Sequence, residues 1–303
     1  MTQKNRQPQL FDDVIIEGTL SARGPIDLGR VGNVFYLDPS DGSDTNDGSS
    51  KTKAVATLAQ ALSLCTANNG DVIIRMKGTE SVTATVTIDV PGVTIIAQDF
   101  GTPAYVGGEN FTTYNSSATG LSAVKVLAQC RLIGLGFAAS DVSEEALLID
   151  CEEGGGFEGG FVSIENCRFP LWNGNLACSI RTIGGALNHI INCEFDGVFG
   201  DYGTAAIIME GDTGGIVPFY PRVIGCRFMA LGAGKHAIKH SAAAVEVLYA
   251  HNVVGSEGAF LDENSLASDG IVYDNWLGGA NQAAMFSNIG STNIKIVGNH
   301  YNE

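Results

Sequence analysis

The sequence predicts an all-β fold: a right-handed single-stranded parallel β-helix with a short N-terminal capping helix and an N-terminal arm. One observation is a short motif that recurs through the last three-fifths of the chain. A second is the alternation of apolar residues within the repeats, as in FVSIENCRF, which is the period of strands rather than helices. A third is composition, since 39 glycines and only 17% charged residues suit tight turns around a continuous apolar interior.

The first element is an arm, to which we assign residues 1–31, ahead of a β-helix domain over residues 32–303. The arm lacks the repeat and is broken by Gly and Pro, so we expect it to order against another surface. The chain does not open on an apolar h-region, and it has no apolar run of about 18 residues. Neither a signal peptide nor membrane insertion is therefore expected.

An acid-rich turn comes next, with Asp38 followed by three candidate calcium ligands, Asp41, Asp44 and Asp47. An EF-hand loop needs acids or Asn at the first, third and fifth positions before its Gly, but here Ser and Thr occupy the first two. A self-bonded Asx turn is therefore favoured over a calcium site, and no metal or cofactor is expected.

A capping helix is predicted near residues 54–67, AVATLAQALSLCTA. Its apolar residues recur on one face, so the segment is expected to act as a hydrophobic lid. Such a lid would shield the unpaired edge of the first coil.

The recurring motif is six residues long: an apolar residue, any two residues, Cys or Asn, any one residue, and a second apolar residue. We call the Cys or Asn at its fourth position the centre. Its centres are Cys130, Cys167, Cys193, Cys226, Asn252, Asn275 and Asn299. The steps between centres are 37, 26, 33, 26, 23 and 24 residues, which indicates a coil of roughly 23 residues with loops added in some turns. The residues three before and two after each centre are predicted to point inward.

Each centre is predicted to lie at a corner between two strands. The residue just before it is mostly Asn, Asp, Gly or His, types that tolerate a left-handed or Asx-type bend. Coils stacked about 4.8 Å apart would turn the four cysteines into a buried thiol stack and the three asparagines into an amide ladder. We favour this packing role over metal binding or nucleophilic chemistry for the cysteines.

A second series supplies another sheet of the solenoid. Its segments begin at Ala146, Ala177, Ala206, Ala237, Ala259 and Ala284. Gly-rich turns at 152–160 and 211–215 lie between the two series, where loops could protrude and bind a partner.

The net charge and the number of cysteines indicate which classes of function and which cellular compartment to expect. The net charge is −16 and no Lys or Arg cluster is present, so direct nucleic-acid binding is not expected. The seven cysteines are odd in number and include no C-x-x-C pair, which favours reduced thiols of a protein that matures in a reducing cytoplasm.

Residues 34–97 carry a family resemblance. An aromatic strand, the turn DPSDGSDTNDG, a short amphipathic helix and the strands of the first coils follow one another there. This order resembles the opening of the pectin-lyase-like right-handed β-helix superfamily, and the resemblance extends from about Gly32 over the rest of the chain. It implies a fold rather than an activity, because the superfamily includes lyases, polygalacturonases and phage tailspikes.

Catalytic motifs of that superfamily do not appear in the sequence. A lyase would need an acid cluster with an Arg base, and the arginines here have no repeated acid partners; Gly-His-Gly is absent, and the only Asp-Asp is Asp12-Asp13 in the arm. Weak catalytic candidates are Glu210 with Asp212, or Asp262 with Glu263, if adjacent coils bring two acids together. Solvation of the surface is the favoured role for these acids.

His236 and His240 are interpreted as turn and wall residues, because a third metal ligand is missing nearby in the sequence. The final coil ends two residues after Tyr301, so we expect subunit packing or a docking partner to cover it.

An arm ahead of a β-helix also resembles tailed-phage virion proteins, both tailspikes and head decorations. That resemblance implies a trimeric, non-enzymatic structural protein on the virion surface, assembled in the host cytoplasm. The arm would contact a major capsid or tail protein, and a host surface glycan is a further candidate partner. The alternative is a glycan-cleaving tailspike or a polysaccharide lyase or hydrolase.

Overall fold

The structure is a computed structural model that describes residues 32–98, 112–116, 122–139, 145–152, 161–170, 177–185, 187–196, 203–255, 258–264, 267–279, 281–289 and 293–301. The predicted arm lies outside these residues. Within them, no helix is both long and apolar enough to span a membrane.

The described residues contain 27 strands, numbered in chain order and arranged in three parallel sheets. The ten-stranded sheet consists of β1 (Val34–Leu37), β2 (Val72–Arg75), β5 (Val93–Ala97), β8 (Cys130–Ile133), β11 (Val162–Glu165), β14 (His189–Ile191), β17 (Arg222–Ile224), β20 (Val247–Ala250), β23 (Asp269–Tyr273) and β26 (Asn293–Val297). The nine-stranded sheet consists of β3 (Gly78–Val82), β6 (Thr112–Ser116), β9 (Gly136–Ala139), β12 (Arg168–Pro170), β15 (Glu194–Asp196), β18 (Arg227–Met229), β21 (Val253–Val254), β24 (Trp276–Leu277) and β27 (His300–Tyr301). The eight-stranded sheet consists of β4 (Val86–Ile88), β7 (Val124–Val126), β10 (Glu145–Asp150), β13 (Cys178–Ile183), β16 (Ala205–Glu210), β19 (His236–His240), β22 (Ala259–Asp262) and β25 (Phe286–Ser287).

Each complete coil contributes one strand to each sheet and pairs in parallel with the neighbouring coils. In one coil, for example, β11, β12 and β13 belong to the ten-, nine- and eight-stranded sheets in turn. Ile164 pairs with Ile190 in the first of these sheets, and Phe169 pairs with Phe195 in the second. This arrangement confirms the predicted parallel β-helix. The right-handed winding that the sequence predicts is the hand that crossovers between parallel strands favour.

The interior is a single apolar column that runs through the coils. Its most regular part is a row of stacked rings, Phe137, Phe169, Phe195 and Phe228, with centroids 5.5, 4.9 and 4.7 Å apart. Three of these phenylalanines are the residues that the motif places two after a centre. The ring spacing is close to the coil rise, so one inward position repeated in each coil produces the stack.

The predicted capping helix is present as α1 (Leu58–Ser63), which buries Leu58, Ala61 and Leu62 against the first coil. It is shorter than predicted because the residues before it have other partners. A 3-10 turn occupies Lys51–Lys53, and Val55 is bonded to Tyr36 and Asp38 through its backbone. The helix therefore begins only after Thr57, whose side chain accepts the N–H of Gln60 and caps it.

A second helix, α2 (Gln282–Met285), lies between β24 and β25 and was not predicted. Asn281 caps it by accepting the N–H of Ala284. Ala284, expected to open the last segment of the second repeat series, therefore lies in a helix, and the strand that continues the eight-stranded sheet begins at Phe286.

Candidate functional site

The corner between the ten- and nine-stranded sheets recurs in seven successive coils of the described chain. In each, one residue has a left-handed backbone: Gly134, Asn166, Asn192, Gly225, His251, Asp274 and Gly298. Their φ angles lie between 52° and 69°. The next residue is the corner centre, which is buried in all but the last of these coils.

The structure corrects the first member of the predicted series, because Leu135 and not Cys130 occupies the corner of its coil. Ile133 pairs with Glu165, which aligns Leu135 with Cys167 one coil later. Cys130 lies instead at the start of β8, paired with Val93 and Val162. It is 2% exposed, and burial raises the pKa of its thiol to about 12. Leu135 does not fit the motif, whose centre is Cys or Asn, although Gly134 supplies the bend.

The three corner cysteines donate to the backbone of the preceding coil. Cys167, Cys193 and Cys226 place Sγ 3.5 Å from the carbonyl oxygens of Leu132, Ile164 and Ile190, respectively. Burial raises the pKa of Cys167 and Cys193 well above the ordinary thiol value. Cys167 and Cys193 are therefore protonated donors rather than nucleophiles or metal ligands.

The three corner asparagines make the same bond with an amide. Asn252, Asn275 and Asn299 donate from Nδ2 to the carbonyl oxygens of Val223, Tyr249 and Val272 at 2.9, 3.2 and 3.2 Å. Each Oδ1 also accepts the backbone N–H of the preceding corner centre at 2.9 Å, and two accept the preceding amide as well. The asparagines therefore form a continuous ladder with both donor and acceptor bonds.

The acid-rich turn uses its carboxylates as local acceptors. Asp38 Oδ1 accepts the N–H groups of Ser40 and Asp41, which is the expected Asx turn. Asp44 accepts from the backbones of Ala56 and Thr57 ahead of α1.

Asp47 accepts from the hydroxyl and N–H of Ser49, and these bonds lower its carboxyl pKa. Asp41, the remaining calcium candidate, is exposed. No group of three or more His, Cys, Asp and Glu suited to a metal ion occurs in the part of the chain that the structure describes.

The first candidate acid pair lies at the end of β16. Glu210 is half-buried at the last position of the strand. Asp212 Oδ1 accepts the N–H of Ile216 at 2.5 Å, and its backbone N–H and carbonyl also bond within the same turn. Asp212 therefore shapes the Gly-rich turn 211–215 as a local acceptor.

The two acids of the second candidate pair, Asp262 and Glu263, are both buried. Asp262 accepts from Asn288 and from the N–H of Asn264 and lies 3.9 Å from Lys239. Burial raises its pKa, but these bonds and the nearby cations outweigh that effect and leave the pKa below its ordinary value. Glu263 is 0% exposed, with Oε1 4.0 Å from Nδ1 of His240. Neither carboxylate is therefore open to a substrate at the surface.

A buried polar network surrounds His240 in the same coils. His240 Nε2 is 2.7 Å from the Tyr249 hydroxyl, and Nδ1 is 3.2 Å from the Ser268 hydroxyl. The Tyr249 hydroxyl donates to Sδ of Met209 at 3.2 Å. Burial lowers the pKa of His240 to about 4, so the imidazole is neutral at pH 7. The prediction of a wall residue missed this network, because its members come from four different coils.

His236, the other predicted wall residue, hydrogen-bonds Ser287 through Nε2 at 2.8 Å, and burial lowers its pKa. Neither histidine belongs to a metal cluster among the described residues.

A surface that the sequence did not predict lies outside the corner in the last three coils. We call it the corner patch and define it by Val253, Ile271, Trp276 and Val297 with His251, Asp274 and His300. The four apolar residues are between 41% and 57% exposed, and Trp276 is the most exposed of them. A single-sequence signal could not identify the patch, because its members come from different coils that only the register brings together.

Register and polar bonds hold the corner patch in place. Val253, Trp276 and His300 pair in succession at the start of β21, β24 and β27. The Trp276 and His300 rings stack at 5.9 Å with 26° between their planes. The Asp274 carboxylate lies 2.9 Å from His251 and 3.3 Å from His300, so it bridges two imidazoles.

Comparisons with known proteins add little to this geometry. No family model matches the chain, and no curated protein matches it. Two crystal structures of a GH136 lacto-N-biosidase from Eubacterium ramulus, one native and one a selenomethionine derivative, are 10% and 11% identical to it. They cover 89% of this chain and 68% of their own, with TM-scores of 0.24 and 0.26. At this level of similarity we draw nothing about fold or activity from them.

Proposed function

We propose that this chain is a non-enzymatic structural protein on the surface of a tailed-phage virion, either a capsid decoration protein or a short tailspike-like adhesin, and that it assembles as a homotrimer. The observation that carries the proposal is the corner patch. A solenoid bonded from coil to coil presents aromatic and aliphatic side chains to its surroundings at one corner. Exposed apolar patches of this kind mark interaction surfaces.

A structural role is also supported by the candidate acids. Asp212 and Asp262 accept local hydrogen bonds that shape their own turns, and Glu263 is enclosed in the interior. Glycoside hydrolysis needs two carboxyl groups on either side of one glycosidic bond. Asp262 and Glu263 are both buried, at 6% and 0% exposure, so they do not supply that arrangement.

The proposal also includes the partners of the chain and the compartment in which it assembles. Residues 1–31 would attach the domain to a major capsid or tail protein, and a host surface glycan is the partner expected of an adhesin. Assembly would take place in the host cytoplasm, where thiols stay reduced, as all seven cysteines are here.

Localisation on the particle tests the virion assignment. Antibody fragments raised against the purified chain, coupled to gold, should label particles of the phage that encodes it, at the head or at the tail. An excess of the purified chain should abolish the label. Particles that stay unlabelled while the free protein is found in the lysate would contradict the assignment.

The enzymatic alternative has a separate test. Purified protein incubated with host surface polysaccharide should release neither new reducing ends nor unsaturated products. Steady release of either product would contradict a non-enzymatic role. The variants Asp262→Asn and Glu210→Gln would then show whether a candidate acid is responsible.

A further inference from the structure

We infer that the corner patch is the surface through which copies of this chain associate with one another. The inference rests on the proposed homotrimer and names the contact that would hold it. Seven large hydrophobic side chains are exposed in the described residues, and four of them belong to the corner patch. Three successive coils therefore carry most of this exposed apolar surface.

The shape of the patch favours a macromolecular partner. Val272 and Leu277, on either side of the corner, are both 0% exposed in the common core. Because the chain bends around this core, the outer face of the corner is a convex edge. Small ligands bind in concave sites, so a convex edge needs a partner that encloses it.

Charge favours a second copy as that partner. The chain has a net charge of −16, so two copies repel each other over most of their surfaces. The corner patch contains one acid, Asp274, and its carboxylate is bonded to His251 and His300. Lys295 pairs with Ile271 at its border. Two copies can therefore approach each other at the corner patch with little repulsion. A basic partner would instead bind the acidic surface outside the patch.

The patch is also preorganised. The amide ladder fixes the corner backbone directly beneath it, with Asn275 bonded to the coils on both sides. The Trp276 ring is held against His300 before any contact forms. Association therefore loses little side-chain or backbone freedom, and a Trp of this kind is the typical anchor of an interface.

Sedimentation velocity of the full chain over a range of concentrations tests the inference. The wild type should sediment as an oligomer that dissociates on dilution. Trp276→Ala should weaken association on the order of 30-fold, and Val253→Glu should weaken it at least as much, as expected for the loss of a buried anchor and the gain of a buried charge. Far-UV circular dichroism and the melting temperature should stay near wild type, because both side chains point away from the core.

Val34→Glu is the matched control. Val34 is 37% exposed and, like Val253, begins a strand, but it lies in the first coil, away from the patch. This variant should sediment like the wild type. An equal loss of association in Val34→Glu would overturn the inference, as would patch variants that remain oligomeric.

The outcomes separate this inference from the virion assignment. A wild type that stays monomeric at every concentration overturns the self-association surface and the homotrimer, while gold labelling of particles still tests the virion location. A monomer that binds another virion protein or a host glycan through Trp276 overturns the inference in favour of that occupant. An oligomer insensitive to patch variants overturns the inference alone.

Discussion

Two sets of coils in this solenoid can be compared position by position. The Cys coils have Cys167, Cys193 and Cys226 at the corner, and the Asn coils have Asn252, Asn275 and Asn299. Just outside the corner, the Cys coils carry charges of alternating sign, Arg168, Glu194 and Arg227, in register. The Asn coils carry Val253, Trp276 and His300 at the same positions.

The Cys coils and the Asn coils differ both in their outward side chains and in their inward side chains. In the Cys coils, Arg168 pairs with Asp196 at 2.9 Å, and the interior is filled by the phenylalanine stack. In the first two Asn coils, inward Val254 and Leu277 replace the rings, whereas Tyr301 occupies this position in the third. The amide ladder adds donor and acceptor bonds at the corner. Directional corner bonds therefore coincide with an exposed apolar exterior. The comparison indicates that the Asn coils are held by directional bonds at the corner and present an apolar surface to solvent.

The largest expected effect is at the centre of the ladder. Asn275→Ala removes the acceptor of the Asn252 N–H and amide and the donor to the Tyr249 carbonyl. Several polar groups are then buried without partners, so the free energy of unfolding should fall by about 4 kcal/mol. Urea denaturation followed by circular dichroism measures this loss.

Cys193→Ala, at the equivalent place in the Cys coils, is the control for that substitution. It removes one thiol donor, 3.5 Å from the Ile164 carbonyl, and should cost about 1 kcal/mol. Equal losses in the two variants would mean that the amide ladder adds nothing to the corner beyond what a thiol provides.

The next effect is a dependence on pH at the junction of the two sets of coils, where His240 in the coil of Cys226 bonds Tyr249 in the coil of Asn252. The pKa of buried His240 is lowered to about 4, below its ordinary value of 6.5, so the folded state favours the neutral imidazole. The contribution is fully present above about pH 6.5 and is lost as the pH falls toward 4, because the unfolded chain then binds the extra proton. The loss should reach about 3 kcal/mol.

Comparison of the wild type with His240→Gln isolates that contribution. Denaturation at pH 7 and at pH 4 should show a larger fall for the wild type than for the variant. Tyr249 and Ser268 bond His240, while Glu263 and Asp262 are the acids that face it. Parallel pH profiles for the two proteins would show that His240 does not control the acid response.

A smaller effect is expected in the phenylalanine stack. Phe195 lies between two rings at 4.9 and 4.7 Å, so Phe195→Leu loses two ring contacts and some volume. The unfolding free energy should fall by about 2 kcal/mol. Phe137→Leu, at the end of the row and 5.5 Å from Phe169, should lose about half as much. A greater loss at Phe137 would show that ring contacts do not set the stability of these coils.

The sequence predicted the parts of this molecule that have a local chemical signature. Asn166, Asn192 and Gly225 bend left-handed just before a centre, as their residue types indicated. Leu135 could not be identified in the same way, because a leucine at a corner resembles any core leucine. The corner patch and the His240 network depend on register between coils, which spacing with variable loops does not provide. Helix α2 is only four residues long, too short for a periodic signal.

The smallest expected effect is at the junction of the two sets of coils. The backbone N–H of Cys226 already donates to Asn252 Oδ1, and its thiol lies 3.5 Å from the Ile190 carbonyl. An amide at this position has partners in both neighbouring coils, so Cys226→Asn should change the unfolding free energy by no more than about 1 kcal/mol. Cys193→Asn should cost more, because its neighbours Cys167 and Cys226 offer no amide oxygen. If Cys226→Asn proves the costlier of the two in urea denaturation, packing volume and not hydrogen bonding decides where thiols give way to amides.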